Sequence, residues 1–87
     1  MKFIPSKRFE KNVAKLSSQL RAILAECLRI FAKEPQHPLL NNHALHGKRA
    51  HLRSINISGD YRLIYEKVDA DLVRLMDIDT HSNLYGG

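Results

Sequence analysis

The sequence predicts an α+β domain: a short N-terminal strand, a helical hairpin, then a three-stranded antiparallel meander, with the helices packed on one sheet face. Three observations carry this. Apolar residues recur at helical spacing between Phe9 and Phe31. The period falls to two after Leu52. The stretch between them, EPQHPLLNNHALHG, has the proline, asparagine and glycine content of a loop. At 87 residues the chain makes one domain, 1–87.

MKFI opens as an apolar strand that stops at Pro5, a residue tolerated at a strand end or edge because it lacks an amide hydrogen. Ser6 is placed to cap a helix over KRFEKNVAKL, where Phe9, Val13 and Leu16 share a face. Ser17 and Ser18 break that pattern and offer a cap for QLRAILAECLRIFAK. There Leu20, Ile23, Leu24, Cys27, Leu28 and Phe31 form one stripe, with Arg21, Arg29 and Lys33 off it. Pro35 and Pro38 end the second helix. HLRSINI then alternates, with Arg53, Ile55 and Ile57 on one side. Ser58 and Gly59 make a tight turn into the aromatic and branched strand YRLIYEKV, and Val68–Asp71 turns into LVRLMDI. Asn56, Arg62 and Asp77 are polar where a strand usually packs something apolar, which suits an open sheet face.

Composition narrows the function. One cysteine, Cys27, allows no internal disulfide and fits a reducing compartment. No apolar run approaches the ~18 residues of a membrane span, and MKFIPSKRF has no apolar signal core. A cytoplasmic protein is expected. A chain this short buries about 60–65% of its unfolded surface, so a surface groove or a partner-completed site is expected rather than a deep cavity. Net charge is +5 and uneven. Residues 1–34 carry eight Lys/Arg against three Asp/Glu, whereas residues 69–87 carry one against four. That density points to a polyanion, nucleic acid foremost, or to a basic surface that is merely solvated.

Five histidines raise the question of a metal. The chain has neither C-x-x-C nor H-E-x-x-H, and its cysteine sits on a helix away from them, so no metal and no cofactor are expected. His37, His46 and His51 read as surface or loop residues. Acid–base chemistry fits better. In RNA cleavage a base frees the 2′-OH to attack the neighbouring phosphorus, and an acid protonates the departing 5′ oxygen. Cations stabilise the charge on the phosphoryl oxygens. The second half of the chain holds the parts: His43, Asp60, Arg62, His81 and the aromatic platforms Tyr61 and Tyr85. Many basic domains hold as much.

Order makes the pattern specific. LNNHALHG, ISGDYRLIYE and DTHSNLYG follow a helical hairpin in that sequence. They carry an H-x-L-x-G loop, a G-D-[aromatic]-R-[aliphatic]-I-Y strand and a terminal T-H-x-x-L-[aromatic]-G. Together they resemble the RelE/ParE superfamily of bacterial toxins, and most of all its YafQ-like branch, over nearly the whole chain. The resemblance implies a ribosome-dependent endoribonuclease that cuts mRNA and is neutralised by a cognate antitoxin, with no small-molecule substrate. It implies catalytic positions at His43, Asp60, Arg62, His81 and Tyr85, with Tyr61 beside them. His81 would be the general acid and Asp60 or His43 the base. Arg62 would neutralise the phosphorane, and Tyr85 and Tyr61 would orient bases. Lys48, Arg49, Arg53 and Asn56 complete the expected RNA contacts.

Two positions depart from the branch. Asn56 stands where the pattern has a histidine, and Asp77 where it has an arginine. A carboxylate repels phosphate, so Asp77 does not inherit the arginine's role. Two other readings follow from these departures and from the superfamily. One is a ParE-like poison of DNA gyrase, which the retained histidines argue against. The other is a catalytically weakened module that only binds RNA or antitoxin. The basic helical residues Lys7, Lys11, Lys15 and Arg21 suit an antitoxin interface.

Overall fold

The computed structural model describes residues 1–85; Gly86, which closes the terminal motif, and Gly87 lie outside the described residues. The elements run β1 (Lys2–Pro5), α1 (Lys7–Ala14), α2 (Ser18–Lys33), β2 (His43–Ala44), β3 (Leu52–Ser58), β4 (Tyr61–Asp69), β5 (Leu72–Thr80) and α3 (His81–Tyr85). The two serines start the two long helices in the same way. Ser6 Oγ accepts from the Phe9 amide at 3.1 Å and Ser17 Oγ from the Leu20 amide at 3.1 Å. Each satisfies one amide that the first turn leaves without a helical partner.

The expected meander sits inside a wider sheet. Five strands take the order β1-β5-β4-β3-β2, with β1 parallel to β5 and the other pairs antiparallel. The chain's first strand therefore lies beside its last. Two features go beyond the sequence reading: the two-residue strand His43–Ala44 within the loop, and the short helix that follows β5 where a turn is expected.

The helices cover one face. Phe9, Leu16, Leu24 and Phe31 meet Ile55, Ile57, Leu63, Tyr65, Val73, Leu75 and Ile78 in a single core. Phe31, 1% exposed, is the pivot. Its ring lies 4.8 Å from that of Tyr65, tilted by 58°, and 6.0 Å from that of Phe3. Cys27 sits half-buried on the same helix, and its thiol donates to the Ile57 carbonyl at 3.6 Å. Burial first, and the Glu26 charge second, push that thiol's pKa up, so it is a packing residue rather than a nucleophile.

One irregularity decides which face the end of β5 presents. Ile64 pairs with Asp77 and Tyr65 with Leu75, so Met76 is an extra residue, a β-bulge. Strict alternation from Val73 and Leu75 would send the Asp77 side chain into the core. The bulge resets the phase, so Ile78 is buried and Asp77 joins the open face. Ser6 secures the bulge by donating its hydroxyl to the Met76 carbonyl at 2.8 Å.

Candidate active site

The carboxy-terminal turn grows directly from β5. The His81 amide donates to the Asp60 carbonyl at 2.8 Å, which ties the start of α3 to the β3–β4 turn. The Thr80 hydroxyl accepts from the Asn83 amide at 3.3 Å, and the Asn83 side chain donates to Asp79 at 2.9 Å. One helical turn then sets residues i and i+4 side by side. The rings of His81 and Tyr85 are 4.5 Å apart and inclined by 54°. Arg49 holds the turn from outside. It donates to the Leu84 carbonyl at 2.9 Å, and its guanidinium carbon is 6.0 Å from the centre of the Tyr85 ring.

The second histidine is positioned by its neighbour. Asn42 Oδ1 accepts from both Tyr65 Oη and Arg53 Nε at 2.9 Å, and its amide donates to the Pro35 carbonyl at 2.9 Å. That asparagine pins the loop to the helix-covered side of the sheet, so the next residue begins β2 on a fixed anchor. Asn41 takes a left-handed backbone, φ 46°, and its carbonyl lies 2.8 Å from His43 Nδ1. A carbonyl only accepts, so Nδ1 carries the proton in that bond. The neutral ring then keeps its lone pair on Nε2. Asn42→Ala is expected to leave the buried Tyr65 hydroxyl and Arg53 without this acceptor. A loss of about 1–3 kcal/mol in a urea melt is the expected outcome.

His43, Arg62, His81 and Tyr85 line one open cleft of about 400 Å³, together with Asn41, Ala44, Leu45, His46 and Ser54. The strand register explains the meeting. His43 pairs with Ser54, Ser54 with Ile64, and Ile64 with Asp77, which makes one row across the open face. The next row is Asn56, Arg62 and Asp79. Arg62 is fixed at one end, donating from Nη1 to the carbonyls of Gly59 at 2.9 Å and Tyr61 at 3.0 Å. Gly59 takes φ +52° in this turn, a backbone that suits glycine. Ser54 is fully buried on the cleft floor, and neither its hydroxyl nor Asn56 Oδ1 has a partner among the described residues.

The other candidates are placed differently. Asp60 meets His81 through its backbone carbonyl, and its side chain is not part of the cleft lining. Tyr61 packs against the core on the helix side, in a recess with Asn12, Lys15 and Asp79. Arg53 also lies on the helix side, beside Phe31, Tyr65 and Val73. Lys48 is exposed in the Gly47–Arg49 3₁₀ turn. Arg49 lines a second groove, beyond Leu45. His46, expected as a surface or loop residue, lines the cleft instead, and Ser54 and Asn42 are site or anchor residues that the motifs do not mark. The spacing of HALHG, which sets two histidines three apart around an apolar residue, was the one available signal for His46. Among the described residues no group of three or more His, Cys, Asp or Glu is arranged to hold a metal ion.

Residues 1–86 match the family model described as bacterial toxin of type II toxin-antitoxin system, YafQ. The chain belongs to the YafQ toxin family. Solved structures agree on the fold. A copper-bound mutant toxin from Helicobacter pylori is 30% identical with a TM-score of 0.78, the alignment covering 97% of this chain and 98% of that one. YafQ from E. coli strain BL21(DE3) is 23% identical with a TM-score of 0.79, over 98% of each chain. The toxin of the E. coli DinJ-YafQ toxin-antitoxin complex is 23% identical with a TM-score of 0.78, over 98% of this chain and 97% of that one. A comparison with curated protein sequences gives no significant match. As a YafQ-family protein, this chain is a type II toxin. No helix among its described residues is long and apolar enough to cross a membrane.

Its departure at Asp77 has a structural counterpart in this YafQ-family toxin. Asp77 Oδ2 accepts from Arg8 Nε at 2.9 Å. Oδ1 accepts from Asn12 Nδ2 at 2.6 Å and from the Ile78 amide at 2.8 Å. Both carboxylate oxygens thus have partners, and a cation from α1 stands beside the group.

Proposed function

We propose that this toxin is an endoribonuclease that cuts mRNA on the ribosome by attack of a 2′-OH on the adjacent phosphorus, and that a cognate antitoxin neutralises it in the cytoplasm. The observation that carries the reading is the convergence of two histidines, an arginine and a tyrosine on one open cleft. The first step of such cleavage needs neither water nor metal, only a base, an acid and a cation in reach of one phosphate. His43 is the base. Its Nδ1 is held by the Asn41 carbonyl, which leaves the Nε2 lone pair for the 2′-OH. Asp60 is the weaker candidate for that role because its side chain lies outside the cleft lining. His81 is the acid that protonates the departing 5′ oxygen. Arg62 keeps donors free for the phosphoryl oxygens after tying one nitrogen to the turn. Tyr85, held against His81, orients a base.

The antitoxin assignment draws on family membership and on the E. coli toxin of the same family, which is solved in complex with DinJ. The basic outer surface of α1 and α2 suits an acidic partner segment.

In vitro translation of a defined message, read by primer extension, tests the nuclease. New 5′ ends within the translated frame, dependent on ribosomes, are expected. Intact message alongside arrested synthesis would overturn the reading. Intact message with broken DNA in arrested cells would point to a gyrase poison instead.

A further inference from the structure

A second groove of about 330 Å³ adjoins the cleft and shares Leu45 with it. Its floor is apolar: Leu45, Leu52, Ile64, Met76 and Leu84. Its rim carries Arg8, Arg49, Asp77 and Asn83. The row that starts at His43 and Ser54 in the cleft continues to Ile64 and Asp77 here, so the two depressions lie along one line of the open face. Arg8 is 76% exposed and Asp77 13%. Asp77 binds Arg8 through Nε alone among the described hydrogen bonds, which leaves the two terminal nitrogens for a ligand. Arg49 spends Nη1 on the Leu84 carbonyl. Two guanidiniums over an apolar floor match a flat base joined to a phosphate.

Building on the nuclease reading, we infer that this groove is a nucleotide subsite. It holds the nucleotide on the 3′ side of the cut, with the base on the apolar floor and the following phosphate bound by Arg8 and Arg49. The direction follows from α3. His81 opens that turn and Asn83 and Leu84 of the same turn line the groove, so the nucleotide seated there is the one whose 5′ oxygen leaves. Asp77 is then no obstacle to RNA. Its oxygens are occupied by Arg8, Asn12 and its own strand, and it aims Arg8 at the chain. The cation expected at position 77 is supplied from α1.

The test is single-turnover cleavage on ribosomes programmed with a defined message, with rate measured against toxin concentration. Arg8→Ala is expected to raise the half-saturating concentration about tenfold with the saturating rate changed less than about twofold. The slope of log half-saturation against log salt should fall by about 0.7, the value for one lost contact to a single strand. Arg8→Lys, which keeps the charge, should recover most of the affinity. An abasic nucleotide 3′ of the cut should weaken wild-type binding, and one 5′ of it should not act through this groove. Thermal melts of the variants show whether the fold is intact. Wild-type behaviour of Arg8→Ala, or a loss confined to the 5′ abasic message, would overturn the subsite while leaving the nuclease reading in place. Weakened antitoxin capture with unchanged cleavage would also overturn it and assign the groove to a protein segment. A wild-type toxin that leaves the message uncut would overturn the nuclease reading itself, and this inference with it.

Discussion

Replacing His81 with alanine is expected to slow message cleavage ~10²–10⁴-fold while the melting transition stays where it is. That factor corresponds to about 2.7–5.5 kcal/mol of transition-state stabilisation, the usual contribution of one positioned proton donor. The fold should tolerate the change because the His81 side chain is exposed and the bond that anchors α3 is made by its backbone amide to Asp60. The substitution removes the imidazole from beside Tyr85 and leaves Arg49 holding Leu84. His43→Ala should cost a similar factor by removing the proposed base. The double variant should cost less than the product of the two, since acid and base serve one displacement. The measurement is primer extension at saturating toxin. An unchanged rate for His81→Ala in a folded protein would remove it from the mechanism.

Phe31→Ala should be the most damaging core substitution. Deleting a buried phenylalanine typically costs about 3–5 kcal/mol through lost transfer energy and the cavity left behind. A domain of this length is stable by roughly 4–13 kcal/mol, so most of the margin can disappear. A fall in Tm of about 15 °C or more is expected by circular dichroism. The effect should reach the cleft. Phe31 packs on Tyr65, the Tyr65 hydroxyl holds Asn42, and Asn42 is the anchor immediately before His43. Cleavage should therefore fall below what the folded fraction alone predicts. A Tm shift under about 5 °C would mean that neighbouring side chains refill the space and that Phe31 is not the pivot.

The cleft was partly legible in the sequence. The loop histidine, the arginine after the acidic–aromatic pair, and the terminal histidine and tyrosine come from three separated motifs, and they meet in one place. The same alternation that marks HLRSINI as a strand also puts Arg53 with Ile55 and Ile57, and in the structure it lies on the helix-covered side with them. Tyr61 shares a face with Leu63 and Tyr65 by the same period and packs against the core. Tyr61, expected from the resemblance, and Arg53, expected as a cation near the motifs, therefore lie on the face away from the cleft. His46 and Ser54 enter the cleft because the short β2 pairs with β3, a contact that two residues of sequence do not announce.

By itself the sequence determined the local features: two capped helices, the change of period after Leu52, the hairpin turn at Gly59, the basic amino-terminal half and the order of the motifs. Each is written in neighbouring residues, through backbone preference and the spacing of apolar side chains. Only the tertiary structure decided which residues share the open face. The bulge at Met76 turns Asp77 outward, the parallel pairing of β1 with β5 brings α1 and Arg8 to it, and the single turn of α3 closes His81 on Tyr85. A one-residue shift in register exchanges the two faces of a strand, and that register is set by partners distant in sequence.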